Sequence, residues 1–256
     1  MNLFFNQNLA KDYQSSQQKI RVMTEAWLAE NAYCVNCATH PIKKVENNQP
    51  VKDFYCPHCH EQFELKSKNS KQIGKVISDG AYRTMLDRIQ ALDNPNFLFL
   101  SYQKSDYSVH QLILIPKHFF SPEMIIRRKP LSPTARRAGW EGCNIDLRFV
   151  PMSGRIALID RQQIIPPEQV YQQWQKNLFL RNEKVQSRGW LMAIMTCIDR
   201  LVENEFSLQQ MYAFEAELQQ LFPNNLHVKD KIRQQLQFLR DRNMIEFIGR
   251  GRYRKR

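Results

Sequence analysis

Nowhere in the 256 residues is there an apolar run long enough to span a bilayer, and no secretory leader is legible. The expectation is a cytoplasmic protein with no membrane partner, in a compartment where disulfides do not persist. Internal repeats and low-complexity tracts are also missing. Acidic side chains are in short supply. The 25 Asp and Glu face 37 Lys and Arg, a formal net charge of +12, so the expected partner is a polyanion. The surplus is uneven: from Lys229 to Arg256 ten basic side chains oppose three acidic ones, more than half of the excess within 28 residues. Cysteine is scarce as well, with six in all. Cys143 and Cys197 stand alone, and Cys197 sits on an apolar helical stripe that suits a small core residue.

The other four cysteines are paired. Cys34-Val-Asn-Cys37 and Cys56-Pro-His-Cys59 are separated by eighteen residues, inside the range of a four-thiolate zinc site. Zn2+ has no directional electronic preference, and four thiolates close a tetrahedron around it. Two independent redox motifs at this separation would be unusual. His40, His58 and His60 are possible substitute ligands but fit the repeated spacing less well.

Carboxylates are interleaved with those thiols. Asp53 lies just before the second pair and Glu64-Leu65-Lys66 just after it, with ten residues between Asp53 and Glu64. On a strand over 62–67, Glu64 and Lys66 share one face while Phe63 and Leu65 pack on the other. Val51–Tyr55 predicts a second short strand. A hairpin of the two, closed by the zinc knuckle, sets Asp53 beside Glu64. Oxygen ligands from Asp53, Glu64 and the Leu65 carbonyl suit Mg2+, and Lys66 is placed to orient or deprotonate an attacking water. These are the residue types of a magnesium-dependent nuclease centre. The opposing reading is a solvated strand face bearing charges.

Downstream, Ile73–Leu92 predicts a helix with Val76, Ala81, Met85 and Ile89 inward, stopped at Asn94-Pro95-Asn96. Segments 97–102, 111–116 and 155–159 predict buried strands, and the mixture suggests an α/β sandwich. The aperiodic loop from Lys129 to Cys143 carries Arg136, Arg137 and Trp140, which either reach DNA or, for Trp140, pack on the core. A boundary is expected near 180–188. Beyond it, helices are predicted from Ser187, from Ser207 with a Ser207/Gln210 capping box, and over 228–243. A hairpin turning at Gly249-Arg250-Gly251 follows. Three helices and a basic hairpin make a winged helix. Its third helix presents Lys229, Arg233, Gln234 and Gln237 to bases, and its wing presents Arg250, Arg252 and Arg254 to phosphate. A small helical bundle is the plainer alternative.

The stretches FYC-x2-C with FELKSK, RKPLSPTARRAGWEGCNIDL and the terminal RQQLQFLRDRNMIEFIGRGRYRK closely resemble the DpnI family of restriction endonucleases, essentially end to end. The resemblance implies a PD-(D/E)xK nuclease domain with an inserted zinc site over 1–182 and a winged-helix domain over 183–256. It implies a monomeric, Mg2+-dependent type II enzyme that cuts double-stranded DNA at GATC sites containing N6-methyladenine. Catalysis would fall to Asp53, Glu64 and Lys66, and zinc to Cys34, Cys37, Cys56 and Cys59. Lys52 stands before Asp53 where the family motif has proline, a position that ligates nothing. The competing expectation is a non-catalytic zinc and winged-helix regulator.

Overall fold

The computed structural model describes residues 1–45, 52–91 and 94–256, and Val51 and Leu92 of the expected elements lie outside them. Along the chain come α1 (Ser16–Asn31), β1 (Lys43–Lys44), β2 (Phe54–Tyr55), β3 (Gln62–Asn69), β4 (Val76–Ala81) and α2 (Tyr82–Gln90). Next are β5 (Asn96–Gln103), β6 (Ser108–Ile115), β7 (Ile125–Arg127), β8 (Gly142–Asp146), β9 (Ile156–Asp160), β10 (Gln163–Ile164) and α3 (Pro167–Asn177). The C-terminal part holds α4 (Val185–Arg200), β11 (Glu205–Ser207), α5 (Leu208–Tyr212), α6 (Glu215–Leu221), α7 (Val228–Asp241), β12 (Ile245–Gly249) and β13 (Arg252–Lys255).

Two compact units result: Met1–Lys75 with Arg88–Lys117 and Ser153–Leu178, and Val76–Asp87 with His118–Met152 and Phe179–Arg256. The first holds a mixed sheet in the order β1-β2-β3-β5-β6-β9-β10. Its centre is apolar through and through: β5 is buried along all but its last residue, as its run Phe97-Leu98-Phe99-Leu100 anticipates. Trp27 and Leu28 of α1 and Val170 and Trp174 of α3 close the same core with Phe54, Phe63, Leu98 and Leu112. Burying Phe54 and Phe63 stabilises the β2–β3 hairpin by about 1.5–3 kcal/mol each.

The second unit contains two small sheets, β4-β8-β7 and β11-β13-β12. Here the expected helix over 73–92 needs correction. Its first half is β4, and only Tyr82–Gln90 is helical. Val76 and Ile77 are β-branched, Gly80 weakens a helix interior, and β8 supplies a partner strand through the pairs Val76↔Asp146 and Ile77↔Ile145. The aperiodic loop ends two residues before Cys143, because Gly142–Asp146 is β8.

The helix expected after Ser207 is also divided. The capping box forms as foreseen, but Ala213 and Phe214 interrupt the run, and Glu215 and Glu217 then begin α6 at the positive end of its dipole. Asn243, at φ 57°, ends α7 in the left-handed region, and the Met244 N–H closes back on the Leu239 carbonyl at 2.9 Å. The hairpin β12–β13 follows, and β11, which no periodicity announces over three residues, pairs with β13 through Phe206↔Tyr253 and makes it the central strand. The N-terminal part is thus mixed α/β, and the C-terminal part is a small α+β helix-turn-helix domain with a wing.

Candidate active site and structural metal centre

The two Cys-x2-Cys turns are built alike. The Cys34 carbonyl accepts from the Ala38 N–H at 2.8 Å and the Cys56 carbonyl from the His60 N–H at 3.0 Å. Ala38 and His60 both take left-handed backbone conformations, at φ 58° and 61°. The four sulfurs lie within 4.8 Å of one another, and none of His40, His58 or His60 joins them. Cross-knuckle separations are 3.4 Å for Cys34–Cys59 and 3.5 Å for Cys37–Cys56. A tetrahedral zinc site with Zn–S near 2.3 Å has edges of about 3.8 Å, so the thiols fit the ion after a small expansion. Burial opposes ionisation of Cys37, yet hydrogen bonds from Thr39 and neighbouring thiols bring it down to about 6, while burial pushes Cys34 far up. Such a packed thiol set is relieved by a cation that takes all four as thiolates.

The knuckle Cys56–Cys59 forms the end of the β2–β3 hairpin, whose register is Phe54↔Phe63 and Tyr55↔Gln62. That register delivers Asp53 to β3. The Asp53 N–H donates to the Phe63 carbonyl at 3.1 Å, and the Leu65 N–H donates to Asp53 Oδ2 at 2.8 Å. Asp53 is therefore held against the backbone of β3 in the cleft that Glu64 and Lys66 line, and those two are themselves paired at 2.6 Å (Nζ–Oε1). Leu65 packs partly against the core, as alternation predicts.

All four residues line a cleft of about 270 Å³. Burial holds the Asp53 carboxyl above its ordinary range, with the nearby charge of Glu25 acting in the same sense. The Leu65 N–H and the cations of Lys66 and Arg21 act against them. Two carboxylates and a backbone carbonyl in a half-buried cleft with surplus negative charge are the donor set for a hard divalent cation.

The opposite wall is α1, to which the sequence reading assigned no role. Gln17, Arg21 and Glu25 lie one turn apart and all line the cleft. Glu25 is buried, taking Arg21 Nε at 2.6 Å and Lys44 Nζ at 2.7 Å. The Arg21/Glu25 spacing was visible as an i,i+4 pair, but the juxtaposition of α1 with β2 and β3 was not.

In the second unit, the loop before β8 is closed by Leu131 N–H to the Trp140 carbonyl at 3.0 Å and Gly139 N–H to the Leu131 carbonyl at 3.1 Å. Trp140 is half-buried, outside the core. It lines a hollow of about 320 Å³ with Arg83, Arg127 and Glu141. A Cβ at Gly142 would lie 3.0 Å from two carbons of its ring, and the Arg137 guanidinium sits 4.8 Å from the ring centroid. Arg136 is exposed on the same loop.

On α7, Lys229, Arg233, Gln234 and Gln237 are exposed, opposite buried Ile232, Leu236 and Leu239. Several of these groups have intramolecular partners. Lys229 pairs with Glu215 at 3.2 Å, Arg233 with Asp230, and Lys231 bonds Gln234 at 2.7 Å. In the wing, Glu205 of β11 takes both Arg254 at 2.7 Å and Arg252 at 3.3 Å, and Arg250 is exposed at the turn.

No described helix is long and apolar enough to cross a membrane. A model of the Dam-replacing family, DpnI, matches residues 1–183, and one of the Dam-replacing HTH domain matches residues 186–255. A helix-turn-helix domain in such a chain makes DNA its partner. With its thiol cluster and this two-part match, the chain belongs to the DpnI, or Dam-replacing, family of methylation-dependent restriction nucleases.

Proposed function

We propose that the protein is a type II endonuclease of the PD-(D/E)xK kind that hydrolyses double-stranded DNA at GATC sites carrying N6-methyladenine. The observation that supports this reading is the bond from the Leu65 N–H to Asp53 at 2.8 Å, in a cleft that Glu64 and Lys66 also line. The cofactor we infer is Mg2+, with Asp53, Glu64 and the Leu65 carbonyl as ligands; when bound, it lowers the cost of negative charge developing on the phosphate. Lys66, already aimed by Glu64, orients the attacking water and favours its deprotonated form through its own positive charge. Zn2+ at Cys34, Cys37, Cys56 and Cys59 is structural and holds the hairpin that carries Asp53.

We assign cutting to residues 1–182 and a second reading of the site to residues 183–256, in a monomeric, cytoplasmic protein. Arg136, Arg137 and Trp140 read DNA from the loop before β8, with Trp140 against the methyl groups. Lys229, Arg233, Gln234 and Gln237 approach bases from α7, and Arg250, Arg252 and Arg254 approach phosphates. Digestion of one plasmid prepared with and without adenine methylation, with and without Mg2+, tests the reading. Mg2+-dependent ends mapping to methylated GATC are expected. Specific binding without any cleavage would leave a regulator in place of an enzyme.

A further inference from the structure

Glu25 is an odd residue to bury. Its side chain is 9 % exposed, yet its two partners are open to solvent, Arg21 at 67 % and Lys44 at 46 %. One carboxylate oxygen binds each cation, so the trio carries a net charge of +1. Arg21 uses only its Nε for Glu25, and the two outer nitrogens of its guanidinium have no hydrogen-bond partner among the described residues. A planar fork with free outer donors, next to an ammonium held by the same acid, matches the oxygens of a phosphodiester. Both long side chains would otherwise pay rotamer entropy to meet a phosphate, and the buried acid has already ordered them. The trio also adjoins the catalytic cleft: Arg21 and Glu25 line it with Asp53, and the charges of both reach Asp53.

We infer that Arg21 and Lys44, aimed by Glu25, form a receiving site for one phosphate of the DNA strand being cut, beside the Asp53–Glu64–Lys66 cleft. The site rests on the proposed nuclease reading for its ligand. Its role is to position the strand, and it reads no base. A salt-bridge network that only ties β1 to α1 would show in melting temperature and leave DNA binding untouched.

The test uses the full-length protein, with divalent cations omitted so that the duplex stays intact. Anisotropy titrations across a salt series compare wild type with Arg21→Ala, Lys44→Ala and the double variant on methylated and unmethylated GATC duplexes. Each single substitution is expected to weaken both duplexes by a similar factor and to lower the log–log salt slope by about one. A series of duplexes, each with one uncharged methylphosphonate, should contain a position that weakens wild type but not the double variant. In separate cleavage assays with Mg2+ added, Glu25→Gln, which keeps the volume, should raise KM more than it lowers kcat. Unchanged salt slopes, or a methylphosphonate penalty that persists at every position in the double variant, would overturn the site while leaving the nuclease reading intact. Failure of wild type to bind DNA would overturn both.

Discussion

Asp53 reaches its place by a backbone amide, and that route decides what its loss does. The Leu65 N–H bonds its carboxylate, and the β2–β3 register rests on Phe54, Phe63 and the thiols. Asp53→Ala should therefore abolish cleavage yet leave methylated-DNA binding nearly as wild type. If Lys66 handles the water's proton as proposed, Lys66→Ala should lower the rate by roughly 10²–10⁴-fold. Single-turnover cleavage beside anisotropy checks both, and appreciable cutting by the Asp53 variant would take that residue out of the site. Trp140 presents a different balance, since it lies half-buried over Gly142 and beneath Arg137. A buried methyl carbon contributes about 0.8 kcal/mol, or roughly fourfold in binding. Trp140→Ala is expected to cut the preference for methylated DNA by that factor or its square, with little change in melting temperature. An unchanged ratio would make Trp140 a packing residue. The pairing of Glu64 with Lys66 was legible because two-residue alternation places both on one face of β3. Glu25 was not, because its contact with Lys44 joins segments that local spacing cannot bring together.

At the level of elements, strands with continuous apolar runs, such as β5 and β6, were plain in the sequence. Those made by a partner were not. β4 exists because β8 lies across from it, and β11 because β13 offers an edge, so neither could be read from its own residues. The unforeseen β11 changes the wing's electrostatics. Glu205 already neutralises part of Arg252 and Arg254, and those arginines hold its carboxyl below its ordinary range. In the proposed docking of the wing, phosphate would compete with that acid for both guanidinium groups. Glu205→Gln is accordingly expected to tighten binding to methylated and unmethylated duplexes alike and to steepen the salt dependence. A decrease in affinity would mean that the pairing orients the wing for DNA and does not compete with it.

For the molecule as a whole, the telling element is α4. Trp190 through Met195, with Cys197 and Ile198, are all buried, so the helix is apolar around its circumference and needs partners on every side. One set comes from α7. Another comes from residues before it: the Thr196 hydroxyl donates to the Phe149 carbonyl, and Asp199 accepts from the Met152 N–H at 2.7 Å. The compact unit accordingly includes residues 118–152 with 179–256. The polar stretch over 180–188 marked an expected boundary, whereas this sharing of α4 left no trace in the sequence, because a helical stripe does not name its neighbours. A fragment of residues 183–256 should bind DNA but melt well below the full-length protein and bind an apolar dye. Melting equal to that of the whole chain would show that α4 is satisfied by α7 alone.

The knuckle at Cys56–Cys59 lies in sequence between Asp53 and Glu64, so in the proposed reading a slowly exchanging zinc and a quickly exchanging magnesium would govern one centre. A chelator should then act on two clocks. Brief exposure withdraws the exchangeable cation, and fresh Mg2+ restores cleavage at once. Long exposure extracts about one zinc per chain, loosens the hairpin that seats Asp53, and leaves a protein that Mg2+ alone does not revive. Cleavage after Mg2+ addition, followed against chelation time alongside zinc released, should fall in step with the metal lost. Full recovery from a zinc-free chain would separate the thiols from catalysis.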